Sequence, residues 1–278
     1  MDAPTLKNII TDTGFKFNKA LGQNFISDKN LLDAIVADSG VTKDDIVVEI
    51  GTGGGTLTRA LAAVAKNVIS FEVDKNVQKV LEISLQGVDN VEVIFRDILR
   101  MSDDEVRAVA GDSFKVVANL PYYITTPLVM RFLESDLDVK SLTVMVQQEV
   151  ADRFVAKPNT ADYAAITRAI QMCGEACITR KVNRKMFYPV PNVDSAVVRI
   201  DVDRNKLAGE NVSELRKLVR AAFAMRRKTL ANNISVAFNM DKQTATEKIT
   251  AAGFAPLVRG EALSLQDYIS LSNILSGN

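Results

Sequence analysis

A chain of 278 residues, 47% of them hydrophobic, can bury one core or two, and it carries 34 Lys/Arg against 34 Asp/Glu with no histidine. The missing histidine excludes His-based triads, imidazole-ligated zinc and histidine acid/base chemistry together. The charge is uneven: 13 Lys/Arg and 5 Asp/Glu fall between 180 and 228, a local excess of +8 that the remainder offsets. Such clustering suits an anionic partner such as nucleic acid, although a solvated basic face reads the same way.

Residues 1 to 45 read as two short helices around a loop from Phe15 to Phe25. In that loop Lys16, Lys19, Gln23 and Asn24 stand among Phe15, Phe17 and Phe25. The loop can fold over a ligand, touch RNA or serve as a plain lead-in. Asp28 is placed to cap the following helix and Gly40 to end it. The N-terminus, with Asp2, Pro4 and Lys7, lacks a signal-peptide layout, and no apolar run reaches the ~20 residues a bilayer needs.

Ile46-Val47-Val48-Glu49-Ile50 is a β-branched apolar run, Gly51-Thr52-Gly53-Gly54-Gly55 a turn almost without side chains, and Thr56 to Ala65 a helix. Strand, glycine turn and helix form the opening of a nucleotide site, where glycines let the backbone approach a ligand. Thr56 stands where a dinucleotide fingerprint would place its last glycine. That spacing favours S-adenosylmethionine over a dinucleotide, with a bare connecting loop as the bland alternative.

Short β-branched runs then alternate with helical stretches. Val68 to Val73, Val91 to Phe95, Phe114 to Ala118 and Leu142 to Val146 predict strands; Lys75 to Ser84, Thr126 to Leu133 and Ala161 to Met172 predict helices. The expected fold class is α/β, a mostly parallel Rossmann-like sheet with helices on both faces. Cys177 to Val182 and Ser195 to Val202 add two strands around the Phe187 to Pro191 loop, expected to pair antiparallel. Cys173 and Cys177, four apart on a predicted helix, read as buried free thiols, which suits a reducing cytoplasm; no metal site is expected.

From about Asn205 the pattern is helical throughout. Leu215, Leu218, Val219, Ala222 and Phe223 make an apolar stripe, with Arg216, Lys217 and Arg220 away from it. Further helices are expected at Lys228 to Phe238, at Lys242 to Ala252 with Gly253 as the stop, and after a Ser264 cap with Asp267. The domain boundary therefore falls between 204 and 205: residues 1–204 form the sheet domain with its helical lead-in, and 205–278 a small all-helical domain.

Chemistry is concentrated at strand ends. Glu72 stands about 20 residues past Gly51, the distance at which a carboxylate takes both ribose hydroxyls. Asp97 follows the third strand and can accept from an adenine amino group. Each alone is equally readable as a helix cap or surface charge; together with the glycines they form a nucleoside site.

The sharpest signal is Asn119-Leu120-Pro121-Tyr122. An exocyclic amine is a poor nucleophile because its lone pair is delocalised into the ring. Two acceptors on its hydrogens draw the nitrogen toward a tetrahedral form that can attack a methyl group. The Asn119 side-chain oxygen and the Leu120 carbonyl can be those acceptors, Pro121 biases Leu120 away from helix, and Tyr122 offers a stacking face. A proline turn after a strand is the plainer reading of the tetrapeptide. Phe187, in Phe187-Tyr188-Pro189-Val190-Pro191, is a candidate second stacking face or else a buried anchor.

Taken jointly, Leu21-Gly22-Gln23-Asn24-Phe25, Glu49-Ile50-Gly51, Asn119-Leu120-Pro121-Tyr122, Val193-Asp194-Ser195-Ala196-Val197-Val198 and Arg226-Arg227-Lys228-Thr229-Leu230 resemble the ribosomal RNA adenine dimethyltransferases, and within them the small-subunit (KsgA-type) branch. The resemblance implies transfer of methyl groups from S-adenosylmethionine to N6 of two adjacent adenosines in the terminal hairpin of small-subunit (16S) RNA. It also implies a role in late assembly of the immature 30S subunit; separately, a monomer is expected. It implies cofactor contacts at Asn24, Ile26, Gly51, Gly53, Glu72, Asp97 and Asn119, base stacking by Tyr122 and Phe187, and RNA contacts at Arg226, Arg227 and Lys228. Thr52 departs from the proline common in the family and is expected to loosen the turn. Two rivals remain: the macrolide-resistance type acting on large-subunit (23S) RNA, whose members are usually basic throughout, and a catalytically silent assembly factor, against which intact Glu72, Asp97 and Asn119 speak.

Overall fold

The structure is a computed structural model that describes residues 6–225 and 227–276. It resolves into two compact units: one runs up to Ala151 and resumes at Ala176–Val202, and the other takes Asp152–Glu175 with everything from Asp203 on.

In the first unit the strands in chain order are β1 (Phe25–Ile26), β2 (Ile46–Ile50), β3 (Asn67–Phe71), β4 (Val91–Ile94), β5 (Ser113–Asn119), β6 (Asp138–Gln147), β7 (Gly174–Val182), β8 (Phe187–Tyr188) and β9 (Ser195–Val202). Seven of them form one sheet in the order β4-β3-β2-β5-β6-β9-β7, and β1 pairs with β8 in a separate ladder. The pairs from β4 through β6 are parallel, while β9 runs antiparallel to β6. The expected sheet is therefore present, with its parallel part covered on both faces, as its continuous apolar runs require.

The helices are α1 (Leu6–Thr13), α2 (Lys29–Ser39), α3 (Thr56–Ala62), α4 (Gln78–Ser84), α5 (Asp103–Ala110), α6 (Thr125–Glu134) and α7 (Gln148–Phe154). Asp28 caps α2 by accepting from the Leu31 N–H at 2.8 Å, and Gly40 closes it at φ +61°. One face of the sheet packs Val47, Val68, Val117, Met145 and Val197 against Leu32, Ile35, Leu57 and Leu61 of α2 and α3. Beside α6 the Phe114 and Phe132 rings meet edge to face at 6.3 Å.

The order in which strands are laid down reverses at β2: the next strands β3 and β4 lie on one side of it and β5 on the other. In an open α/β sheet the crevice at such a switch, beyond the carboxyl ends of the strands, is where ligands bind.

The second unit adds α8 (Ala165–Cys173), α9 (Val212–Ala224), α10 (Leu230–Ala237), α11 (Lys242–Ala251) and α12 (Leu265–Ser276). The apolar stripe of α9 is buried with Leu230, Ile234, Ile249, Tyr268 and Leu271, and Met172 of α8 joins the same cluster. Sequence patterning puts residues 152–175 before the boundary at 204, yet they pack with the helices after 203. Arg168 explains the attachment. It is buried, sits 4.4 Å from the Tyr163 ring centre and 5.6 Å from that of Tyr268, and donates to the Leu263 carbonyl at 2.7 Å. Burial pushes its pKa down to about 10.

The cysteines correct the sequence expectation. Cys173 ends α8, whereas Cys177 lies on β7 and is exposed; both are free thiols. Among the described residues no helix is long and apolar enough to cross a membrane, and no three His, Cys, Asp or Glu side chains are grouped to hold a metal.

Candidate active site

The carboxyl ends of β2, β3 and β5 open onto a cavity of about 300 Å³ lined by the glycine turn, Glu72, Asp97, the 119–124 segment and the 21–26 loop. Gly51, Gly53 and Gly55 hold φ of +81°, +52° and +77°, which side chains rarely adopt. At Gly53 an added Cβ would come within 2.7 Å of the Phe25 ring. The aromatic loop therefore lies directly on the turn and roofs the cavity.

Thr52 does not loosen that turn. It is buried, its hydroxyl meets Ser70 Oγ at 2.7 Å, and its carbonyl accepts from the Gly55 N–H at 2.9 Å. Beneath it, Glu49 accepts from Ser70 and Thr58, both at 2.6 Å. Glu49 is fully buried with no cation beside it, so burial pushes its pKa up to about 8, and the neighbouring Glu72 charge adds to the shift. Burial thus favours the neutral form of the carboxyl that underpins the turn.

Glu72 is held in place by main-chain donors: Oε2 accepts from the Gly53 N–H at 2.9 Å, and Oε1 from the N–H groups of Val73 and Asp74 at 2.8 Å each. A carboxylate has about four acceptor positions, so these three bonds orient it and leave one position, on Oε2, for a hydroxyl in the cavity. Asp97 caps the turn after it through the Leu99 N–H at 3.0 Å. It is both the cap and the cavity-lining acceptor that the sequence offered as alternatives.

Asn119 ends β5 opposite the glycine turn; a Cβ on Gly51 would lie 3.8 Å from the Asn119 carbonyl oxygen. Its Nδ2 donates to the Asn24 carbonyl at 2.8 Å. Among the described residues Oδ1 has no protein donor, so it is the end of the amide available to a ligand. Leu120 is buried, with its N–H bonded to the Met145 carbonyl at 3.2 Å. Tyr122 is half-buried and its hydroxyl meets Ser195 Oγ at 2.9 Å; burial raises its pKa, against the Ser195 hydrogen bond. Nothing in the sequence marks Ser195 as the partner of Tyr122. Only the pairing of β9 with β6 brings it beside the turn after β5.

The structure brings Asn24, Ile26, Gly51, Gly53, Glu72, Asp97, Asn119, Leu120, Pro121 and Tyr122 around one cavity, and leaves Phe187 out of it. Phe187 is 3% exposed in the core cluster with Ile26, its partner in the β1–β8 ladder. Successive strand residues face opposite ways, so it is Tyr188 that turns outward. The anchor reading of Phe187 fits this arrangement. Arg227 and Lys228 are exposed in the turn between α9 and α10, and Arg226 lies outside the described residues.

Residues 14–276 match the model of the family described as ribosomal RNA adenine dimethylase. Two proteins named ribosomal RNA small subunit methyltransferase A are similar over almost their full length. That of Clostridioides difficile is 42% identical, covering 97% of this chain and 94% of its own. That of Enterococcus faecalis is 43% identical, covering 98% and 95%. Among solved structures, a dimethyladenosine transferase from Plasmodium falciparum superposes with a TM-score of 0.74 at 25% identity, covering 89% of this chain and 95% of the other. The 23S rRNA methyltransferase ErmE gives 0.69 at 26% identity, covering 91% and 100%.

Proposed function

The chain belongs to the ribosomal RNA adenine dimethylase family, and from that premise we propose that it dimethylates N6 of two adjacent adenosines in the 3′-terminal hairpin of small-subunit RNA, with S-adenosylmethionine as donor. The observation that carries the reading is the Asn119 amide, turned by the Asn24 carbonyl so that Oδ1 remains to accept.

The residues around the cavity suit the donor. The side-chain-free turn at Gly51 and Gly53 gives a ligand access to the backbone, Glu72 offers an oriented acceptor for a ribose hydroxyl, and Asp97 offers one for an adenine amino group. Asn24 and Ile26 close the remaining wall. When bound, S-adenosylmethionine supplies an electrophilic methyl on a sulfonium centre.

The protein's own part is to prepare the amine. Asn119 Oδ1 and the Leu120 carbonyl accept its two hydrogens and favour a tetrahedral nitrogen, while Tyr122, fixed by Ser195, holds the base. Positioning and electrostatics supply the rate, and the amine needs no strong base because its proton leaves after the methyl arrives. A chain without histidine can therefore run this reaction.

The partner proposed is the immature 30S subunit, met in the cytoplasm by a single copy of the chain. The relatives at 42% and 43% identity carry small-subunit names, which favours this target over the 23S RNA named for ErmE. Incubation with methyl donor and small subunits lacking the modification, followed by nucleoside analysis, tests the proposal. Dimethyladenosine at neighbouring positions of the terminal hairpin is expected. A primer-extension stop on large-subunit RNA alone would give the activity to the rival type.

A further inference from the structure

Immediately after Tyr122 the chain presents a second tyrosine to the same cavity. Tyr123 lines its mouth, yet it is 58% exposed, while Tyr122 is turned inward and tied to Ser195. The two belong to one turn of 3₁₀ helix, Tyr122–Ile124. With about three residues per turn, consecutive side chains leave such a helix about 120° apart. Only one of the two rings can therefore face the interior.

The outer ring is held and not loose. A Cβ on Gly22 would lie 3.8 Å and 3.9 Å from Tyr123 Cδ1 and Cε1, and 3.7 Å from Pro121 Cβ. The 21–24 loop therefore runs beside the ring near contact distance, while more than half of Tyr123 stays open to water. An exposed, backed aromatic beside a pocket for a single base is the form of a stacking platform in single-stranded RNA recognition. A strand that turns one base into the cavity must carry a neighbouring base across the rim.

We propose that Tyr123 is a second nucleobase subsite, stacking the base of the nucleotide adjacent to the target adenosine while Tyr122 holds the target. The proposal rests on RNA being the substrate, as argued above. It adds a site for the neighbouring nucleotide and fixes the path of the strand over the 21–24 loop.

The test is a binding cycle with a hairpin oligonucleotide of the small-subunit 3′ end and two variants in which an abasic nucleotide replaces either neighbour of the target. Affinities are read by fluorescence anisotropy, which does not depend on methyl transfer. Tyr123→Ala should bind the intact hairpin about fivefold or more weakly, the lower end of the worth of one base–aromatic stack, and Tyr123→Phe should match wild type. One of the abasic RNAs should weaken the wild type by a similar factor and leave Tyr123→Ala unaffected, with S-adenosylmethionine affinity unchanged in both variants.

Wild-type affinity in Tyr123→Ala overturns the proposal, as do equal penalties from each abasic RNA on both enzymes or a loss in Tyr123→Phe as large as in Tyr123→Ala. A wild-type enzyme that shows the coupling but forms no dimethyladenosine in small subunits lacking the modification would instead remove the function proposed above and leave the subsite standing.

Discussion

The side chain of Asn119 donates to the main-chain carbonyl of Asn24 at 2.8 Å, joining the end of a central strand to the loop that roofs the cavity. The acceptor is a backbone atom, so the orientation of the amide depends on the path of that loop. The roof therefore aims the oxygen proposed to grip the amine, besides covering the cavity.

Asn119→Ala should fold and bind RNA as wild type does, and lose methyl transfer by about 10²- to 10³-fold, the range for deleting one group preorganised toward a transition state. Single-turnover transfer set beside an RNA-binding isotherm checks this. Wild-type rates in the variant would take the catalytic role away from the amide.

Ser195→Ala removes the partner of the Tyr122 hydroxyl without touching the ring. One hydrogen bond of this kind is worth about 1 kcal/mol, so kcat should fall about 2- to 10-fold with donor affinity unchanged. Tyr122→Phe should cost a similar amount, and the double variant no more than either single one, because both delete the same bond. Additive losses in the steady-state rates would show that Ser195 does not act through Tyr122.

The buried carboxyl of Glu49 makes stability depend on alkaline pH. Its folded pKa of about 8 stands above the ordinary value of 4.5, so the folded state holds a proton that the unfolded state releases. The stability tied to that proton is full below 4.5 and is lost as pH rises through about 8. The unfolding free energy from urea titrations should fall between pH 6 and pH 9 in the wild type, by an amount on the order of a few kcal/mol. Glu49→Gln, neutral at every pH, should lack that part of the slope; parallel profiles would assign the decline elsewhere.

Replacing Arg226, Arg227 and Lys228 together by Ala should weaken RNA binding at low salt. Every phosphate left without its cation flattens the plot of log affinity against log salt by about 0.7 to 0.9, so the triple variant should reduce the slope by about 2 to 3. Titrations at several salt concentrations measure it. An unchanged slope would move the RNA surface to another part of the chain.

Much of the sheet was legible because its strands are short, β-branched and regularly spaced, and the glycine turn could be placed because few residues tolerate its backbone. Glu72, Asp97 and Asn119 announced themselves by standing at strand ends. What the order of residues could not supply was which side of a short extended segment faces inward. Phe187 and Tyr188 form a ladder only two residues long, too short for alternation to reveal its register, and the buried one is the residue the motif suggested for stacking. Ser195 was hidden for a related reason, since its meeting with Tyr122 depends on β9 lying antiparallel beside β6. Residues 152–175 read as one more element of the alternation, because the cation that ties them to the later helices is paired with aromatic rings and a carbonyl instead of a carboxylate.

The reversal of strand order at β2 has a consequence for synthesis on the ribosome. The glycine turn emerges early, its opposite wall at Asn119 much later, and the serine that steadies Tyr122 later again. A growing chain thus owns half a cavity until β5 has emerged, and no truncated product ending before β9 carries the hydrogen bond that fixes Tyr122.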